Sequence, residues 1–257
     1  MVSLTLDWIG ARYGRHKVLD DASVATVEGG ALTALVGANA AGKSTLFRRI
    51  AGQLRGAGRV GLAGASSGDL RYMPQDTGMT AALTVYESVI LALKQGDSRW
   101  RLTTHELAAV DDVLHRFQIA HLAERQLAML SGGQRQAVSI AQTLVSRPRV
   151  VLMDEPTSAL DLARQYEILE ALRRYAEQTG AVMMLALHDL NQVMRACTWT
   201  VALAEARIIA TGPTLDVLTP ALIRRIYGIN ARVECCSLGR PLMIVDGPSR
   251  AVLQEYH

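Results

Sequence analysis

The pattern of hydrophobic and polar positions predicts two kinds of β-structure in this chain. Residues 2–8 alternate between apolar and polar side chains, which is typical of a half-buried strand in an antiparallel sheet. Residues 18–27 also have strand character. Continuous apolar runs, typical of buried strands, occupy residues 31–36, 150–153 and 181–187. We therefore expect a β layer at the start of the chain and buried strands further along it.

A helical pattern follows in the middle of the chain. Apolar side chains recur at helical spacing behind two capping boxes, Thr84 with Glu87 and Thr103 with Glu106. The apolar positions are Val85, Val89, Ile90 and Leu93 behind the first box, and Leu107, Val110, Leu114 and Phe117 behind the second. Residues 76–146 are therefore predicted to be an all-helical insertion.

Composition narrows the class of protein only slightly. The chain has 257 residues, of which 49% are hydrophobic and 20% are charged, and this is ordinary for a globular protein. No apolar run approaches the roughly 18 residues of a membrane span, and Asp7 interrupts the region where a signal peptide would be apolar. We therefore expect a soluble, cytosolic chain. The net charge of +3 is not concentrated in a block of Lys and Arg, so we expect no nucleic-acid partner.

The clearest motif is a phosphate-binding loop with the pattern G-x-x-x-x-G-K-[ST]. It lies between an apolar strand and a helix, which is the context that a nucleoside triphosphate site requires. A glycine-rich turn with a solvated Lys43 is the alternative, and this context argues against it. Lys43 is expected to lie against the outer phosphates, and the Ser44 hydroxyl is expected to bind Mg²⁺. The loop residues expected to bind nucleotide are Gly37, Asn39, Ala40, Ala41, Gly42, Lys43, Ser44 and Thr45.

Polar side chains follow three further predicted strands. Asp154 and Glu155 come directly after an apolar run, and carboxylates at the carboxyl end of a parallel strand face the crevice in which α/β proteins bind ligands. Asp154 is suited to hold Mg²⁺ through water, whereas Glu155 can accept a proton from an attacking water. Gln75 and His188 each follow a strand in the same way. The set fits phosphoryl transfer, although His188 alone would be a weak signal.

The sequence Leu-Ser-Gly-Gly-Gln, residues 130–134, begins another helix. Ser131 and Gln134 have the spacing of a capping box, so a simple helix start would explain them. The successive glycines Gly132 and Gly133 favour a second interpretation, because they leave backbone N–H groups accessible to an anion at a helix N-terminus. The sequence therefore predicts two phosphate-binding sites, and only the P-loop has an evident nucleotide to bind.

Taken together and in this order, these motifs resemble the ATPase subunit of an ABC transporter over nearly the whole chain. The resemblance implies an α/β fold, with a P-loop NTPase (ABC ATPase) core, an N-terminal antiparallel β subdomain and an all-helical insertion. The core and the β subdomain would occupy residues 1–75 and 147–227. The helical subdomain with its signature motif would occupy residues 76–146, and a small β extension would occupy residues 228–257.

The resemblance also implies roles for single residues. Tyr13 would stack on adenine, although packing on the sheet is an alternative. Gln75 would bind Mg²⁺ and couple the γ-phosphate to the helical subdomain, while His188 would contact the γ-phosphate and orient the attack. The signature from Ser131 to Gln134 would close over ATP held by the P-loop of a second subunit, in a head-to-tail homodimer. The catalytic set would be Lys43, Gln75, Glu155 and His188.

Four positions depart from the family pattern. Ala38 and Ala40 stand where the family more often has Pro and Gly, and alanine tolerates positive φ less well than glycine. We therefore expect an effect on loop geometry or on ATP affinity. Ala137 and Gln142 replace arginines that are common in the signature helix. Since the catalytic groups are all present, an active ATPase is expected.

Residues 212–219 and 222–228, followed by a small β tail at residues 231–234 and 242–245, resemble, less specifically, the ATPases of importers for ferric siderophores, haem and cobalamin. This implies Mg²⁺-dependent ATP hydrolysis that powers import through a separate integral membrane permease. The chain would lie at the cytoplasmic face of the cell membrane, in a system with a periplasmic or lipoprotein substrate-binding protein. A soluble ABC ATPase of iron–sulphur cluster assembly is the main alternative. A repair ATPase would have a long coiled coil and a translation factor two cassettes, and neither pattern is present.

Overall fold

The computed structural model describes residues 1–75, 82–95 and 101–249. Two predicted segments lie partly outside these ranges. Residues 76–81 and 96–100 of the expected helical insertion are not among the described residues, and neither are residues 250–257 of the expected C-terminal extension. Within the described ranges, no helix has the length and apolar character needed to cross a membrane.

The described residues form three β-sheets. Their strands are β1 (Ser3–Tyr13), β2 (His16–Glu28), β3 (Leu32–Val36), β4 (Arg59–Ala63), β5 (Leu70–Met73), β6 (Val150–Asp154), β7 (Val182–Ala186), β8 (Trp199–Ala204), β9 (Arg207–Pro213), β10 (Ile229–Cys235) and β11 (Pro241–Pro248). The largest sheet has the strand order β5-β6-β7-β3-β8-β9, and its strands are parallel except for the antiparallel β8–β9 pair. The other sheets are antiparallel, with the orders β2-β1-β4 and β10-β11.

Helices connect most of the parallel strands. They are α1 (Lys43–Ile50), α2 (Val85–Leu93), α3 (Thr104–Arg116), α4 (Gly132–Leu144), α5 (Leu162–Thr179), α6 (Leu190–Ala196), α7 (Thr214–Val217) and α8 (Pro220–Tyr227). Helices α2, α3 and α4 lie between β5 and β6 in the chain. Both predicted capping boxes are confirmed, since Thr84 accepts from the Glu87 amide and Thr103 from the Glu106 amide.

The alternation predicted for residues 2–8 holds only in part. Leu4 and Leu6 are fully buried, as the pattern predicts, but Trp8 is 70% exposed. Trp8 has a φ of 55°, and the register of the β1–β2 ladder shifts between Leu6 and Ile9. An extra residue at such a β-bulge is turned out of the alternation. The bulge therefore exposes Trp8 and returns Ile9 to the core.

The continuous apolar runs are explained by burial on both faces of the large sheet. Val151 and Met153 pack with the helices on one side. Val150 and Leu152 point the other way and pack with the antiparallel sheet and α1. Each side chain of β6 is therefore buried, whichever face it is on.

The strand register brings the motif residues to one edge of the sheet. Asp154 on β6 and Leu35 on β3 both pair with Ala186 on the intervening β7. Because these three strands are parallel, the segments that follow them leave the sheet side by side. The P-loop, Glu155 and His188 therefore start from neighbouring positions.

Candidate functional site

The P-loop joins β3 to α1 through a backbone that its glycines permit. Gly42 is the N-cap of α1 with a φ of 105°, and no side chain caps the helix. Gly37 has no room for a larger residue, since a Cβ there would lie 2.5 Å from the carbonyl oxygen of Leu203. The loop thus directs the uncapped N–H groups of α1 toward solvent, where an anion can accept from them.

The Lys43 side chain is buried, with 6% exposure, and it lies against the backbone of the P-loop. Its Nζ donates hydrogen bonds to the carbonyl oxygens of Gly37, at 2.9 Å, and Ala38, at 3.0 Å. Burial lowers the pKa of the Lys43 ammonium, while the negative charges of Glu155 and Asp154 oppose that shift. The side chain is therefore held beside the loop in a position to exchange carbonyl contacts for phosphate oxygens.

The two carboxylates at the end of β6 have different surroundings. Asp154 is buried, with 2% exposure. Burial raises the pKa of the nearby Tyr72 hydroxyl, and the charge of Asp154 raises it further. Glu155 has a left-handed backbone, with a φ of 52°, and its amide donates to the Ala186 carbonyl at 3.1 Å. This turn separates the two side chains, so that Asp154 stays at the strand end and Glu155 extends into the cleft.

The Glu155 carboxylate lies between two of the predicted site residues. Gln75 donates from Nε2 to Oε2 of Glu155 at 2.9 Å. His188 contacts Oε1 of the same carboxylate through Nε2. Both carboxylate oxygens are thus engaged by groups from other strand ends, which fixes the direction in which Glu155 points.

These residues line one open cleft with a volume of about 790 Å³. The residues that line it are His16, Val18, Asn39, Ala40, Gly42, Lys43, Ser44, Thr45, Gln75, Glu155 and His188. All but His16 and Val18 are residues that the sequence predicted. These two belong to β2, and their position follows from the pairing of β1 with β2, which sequence motifs do not reveal.

Tyr13 lies near the cleft but is not among the residues that line it. It pairs with His16 at the end of the β1–β2 hairpin and is 46% exposed. The pKa of the Arg48 guanidinium is raised by its hydrogen bonds with the hydroxyls of Tyr13 and Tyr72. The stacking of Tyr13 on adenine stays a prediction, and the imidazole of His16 is a second flat ring beside the same cleft.

The signature residues form a second, separate cleft. Ser131 is the N-cap of α4, and the capping box with Gln134 is present, with bonds of 3.0 and 3.3 Å. Ser131, Gly132, Gly133 and Gln134 line a cleft of about 600 Å³ that shares no lining residue with the P-loop cleft. Within the residues described, the two predicted phosphate sites of one chain are therefore distinct.

Ala40 has a positive φ of 60°, a backbone conformation that alanine tolerates less well than glycine. Ala40→Gly is expected to raise the free energy of unfolding by about 1 kcal/mol, because a Cβ strains the left-handed region. The matched control is Ala41→Gly. Ala41 is not among the described residues with positive φ, so this change is expected to lower stability by about 0.5–1 kcal/mol. Urea denaturation without nucleotide measures both. A loss of stability in Ala40→Gly as large as the control's would contradict strain at Ala40.

The sheet order, the P-loop after β3 and the carboxylate pair at the end of β6 define a P-loop nucleotide-binding protein. The family model described as ABC transporter matches residues 19–158, and the chain belongs to this family. The chain is therefore an ABC ATPase, which binds and hydrolyses ATP.

Two curated relatives cover most of this chain. An iron(3+)-hydroxamate import ATP-binding protein, FhuC of Bacillus subtilis, is 33% identical over 91% of this chain and 90% of that protein. A hemin import ATP-binding protein, HmuV of Myxococcus xanthus, is 35% identical over 96% of this chain and 98% of that protein. A solved structure of an ABC transporter in an inward-facing conformation has a TM-score of 0.84, and the match covers 98% of this chain and 100% of that chain. At 24% identity, it bears on the fold alone.

Proposed function

We propose that this ATPase powers import of an iron chelate or a related metal chelate, namely a ferric siderophore, haem or cobalamin, through a separate membrane permease. The observation that carries the proposal is the near full-length similarity to ATP-binding proteins of iron(3+)-hydroxamate and hemin import. These relatives favour import over iron–sulphur cluster assembly, the alternative function.

The cleft supports a mechanism in which the chain's own groups position ATP and water. Lys43 and the N–H groups at the start of α1 offset the charge of the outer phosphates. Glu155 accepts the proton of the attacking water, and its direction is fixed by Gln75 and His188. His188 also contacts the γ-phosphate. Positioning and charge stabilisation, more than covalent chemistry, would therefore carry the reaction.

Three side-chain oxygens at this edge of the sheet are of the kind that binds Mg²⁺. They are the Ser44 hydroxyl at the start of α1, the buried Asp154 carboxylate and the amide oxygen of Gln75. Mg²⁺ is usually bound by one or two carboxylates together with water and substrate phosphates, which suits so small a protein contribution. When bound, the ion would offset charge on the β- and γ-phosphates.

The separation of the two clefts supports a head-to-tail homodimer. The signature cleft has the exposed N-terminus of α4 at its wall and no P-loop residue among its lining. In the dimer, Ser131, Gly132, Gly133 and Gln134 of one subunit cover ATP at the P-loop of the other. ATP binding closes this dimer, and hydrolysis opens it. The movement would reach the permease at the cytoplasmic face of the membrane, where a periplasmic or lipoprotein binding protein delivers substrate from the other side.

Identifying the proteins that copurify with this chain tests the proposed function. The tagged chain is purified from detergent-solubilised membranes, with tag alone as the control, and the copurifying proteins are identified by mass spectrometry. We expect an integral membrane protein that is absent from the control. Recovery of a cysteine desulphurase or a cluster scaffold without any integral membrane protein would overturn the import function.

A further inference from the structure

The signature helix α4 contacts the loop that carries Glu155 in the same chain. Gln136 is buried, with 6% exposure, and its Nε2 donates to the backbone oxygen of Glu155 at 3.0 Å. One turn earlier, Gly133 packs on the same loop, since a Cβ there would lie 3.1 Å from the Ala159 carbonyl oxygen and 3.2 Å from Cδ2 of Leu160. The start of α4 and the loop are therefore in direct contact at two points.

The backbone of Glu155 is one that needs support. Its φ of 52° lies in the left-handed region, which residues with a Cβ seldom adopt. The Glu155 carbonyl also accepts from the amide and the hydroxyl of Ser158, at 3.3 and 3.1 Å, but these donors belong to the same turn and move with it. Gln136 is the donor that ties this carbonyl to a different element.

The loop after Glu155 is also hydrogen-bonded to α5, at two backbone carbonyls. Gln165 donates from Nε2 to the carbonyl oxygens of Thr157 and Leu160, both at 3.1 Å. Gln192 in turn donates to the side chain of Gln165. Since these bonds hold the loop to α5 at Thr157 and Leu160, the direct bond from Gln136 is the contact through which a shift of α4 is expected to reach the Glu155 backbone.

We infer that Gln136 is a positioning residue that makes the placement of Glu155 depend on the signature helix of its own chain. The inference rests on the proposed head-to-tail dimer. There, Ser131 contacts ATP in the partner's site, so that ATP sets the position of α4. Through its hydrogen bond, Gln136 transmits a shift of α4 to Glu155, which faces the ATP bound by its own chain. Hydrolysis in one site thereby depends on nucleotide in the other.

The first test separates positioning from binding. Gln136→Met removes the donor at similar side-chain length, and it should lower kcat about tenfold while the KM and the Kd for ATP stay within about twofold. Gln136→Leu, which also lacks a donor and is smaller than methionine, should show the same split if the Met variant does not fold. The matched control is Ser139→Ala. Ser139 is buried in the same helix, and its hydroxyl donates to the backbone carbonyl of Arg135. This variant therefore loses a side-chain hydrogen bond of α4 that does not involve Glu155. Wild-type kcat in a folded Gln136 variant would overturn the inference.

The second test asks whether Gln136 acts through the signature. Ser131→Arg should lower kcat by preventing the signature from docking on the partner. If Gln136 transmits that docking, the double variant Ser131→Arg/Gln136→Met should be no slower than Ser131→Arg alone. If the losses in kcat of the two single variants multiply in the double variant, Gln136 supports Glu155 independently of the signature, and the relay is wrong.

A third measurement distinguishes failure of the relay from failure of the dimer. In a Glu155→Gln background, where hydrolysis is blocked, Gln136→Met should leave ATP-dependent dimerisation intact, because signature docking does not need the Gln136 bond. Loss of the dimer on adding Gln136→Met would show that Gln136 merely supports the signature helix, and it would overturn the relay alone. If Glu155→Gln itself forms no dimer with ATP, the head-to-tail arrangement fails, and the relay fails with it.

Discussion

Lys43→Ala is expected to weaken ATP binding by about one to two orders of magnitude, because a charge-assisted contact to the outer phosphates contributes about 1.5–3 kcal/mol. The structure adds a second cause. Lys43 holds the loop through the carbonyl oxygens of Gly37 and Ala38, so its removal also releases the P-loop backbone. Titration with a fluorescent ATP analogue measures the affinity, and the melting temperature of the variant shows whether it is folded.

The matched control for Lys43→Ala is Lys17→Ala. Lys17 lies next to the cleft-lining residues His16 and Val18, but it is exposed and paired with Asp20. Its loss removes the same charge nearby without removing a phosphate contact, so we expect affinity close to that of the wild type. Undiminished ATP affinity in a folded Lys43→Ala variant would show that the P-loop is not the nucleotide site.

The sequence predicted the local parts of the site well. A P-loop and a capping box are each built from residues close together in the chain, so their spacing carries most of the information. The boxes at Thr84, Thr103 and Ser131 all form, and the predicted loop lies between β3 and α1. The apolar runs identified the buried strands because both faces of the large sheet are covered.

The contacts around Glu155 could not be predicted in this way. Gln75 and Glu155 are 80 residues apart in the chain, and His188 is 33 residues from Glu155. These contacts depend on the order of the strands in the sheet, which local sequence patterns do not reveal. The left-handed backbone of Glu155 was equally hidden, because no glycine marks it. The contact of Gln136 could not be predicted either, because its partner lies in another element of the fold.

The structure also changes how the signature should be tested. From the sequence alone, a bulky residue at Gly133 would be one way to block contact between the signature and the partner's ATP. A Cβ there would already be tight against Ala159 and Leu160, so such a variant would disturb its own chain as well. Ser131 is exposed at the start of α4 and accepts a larger side chain more readily. Ser131→Arg is therefore the better probe.

Glu155→Gln is expected to slow ATP hydrolysis by about 10² or more while ATP still binds, since glutamine keeps the size of the side chain but cannot take the proton of water. The contacts with Gln75 and His188 favour an unchanged side-chain position. If hydrolysis opens the proposed dimer, the variant should accumulate with ATP as a closed dimer by light scattering, whereas the wild type should do so weakly. Glu177→Gln is the matched control. Glu177 is 50% exposed and pairs with Arg173, so its loss should leave both rate and dimerisation unchanged.

Adding Ser131→Arg to Glu155→Gln should disperse the closed dimer and leave ATP binding by the monomer nearly intact. The reason is that the signature cleft and the P-loop cleft share no lining residue, so in the proposed dimer an arginine at Ser131 would obstruct the partner's nucleotide and not its own. Loss of the Ser131 cap itself costs about 1 kcal/mol. Thr103→Arg controls for that cost, since it removes an equivalent cap from α3 and should leave the dimer in place. If the dimer persists with Ser131→Arg, or if the monomer no longer binds ATP, the signature does not act across a subunit interface, and the head-to-tail dimer must be abandoned.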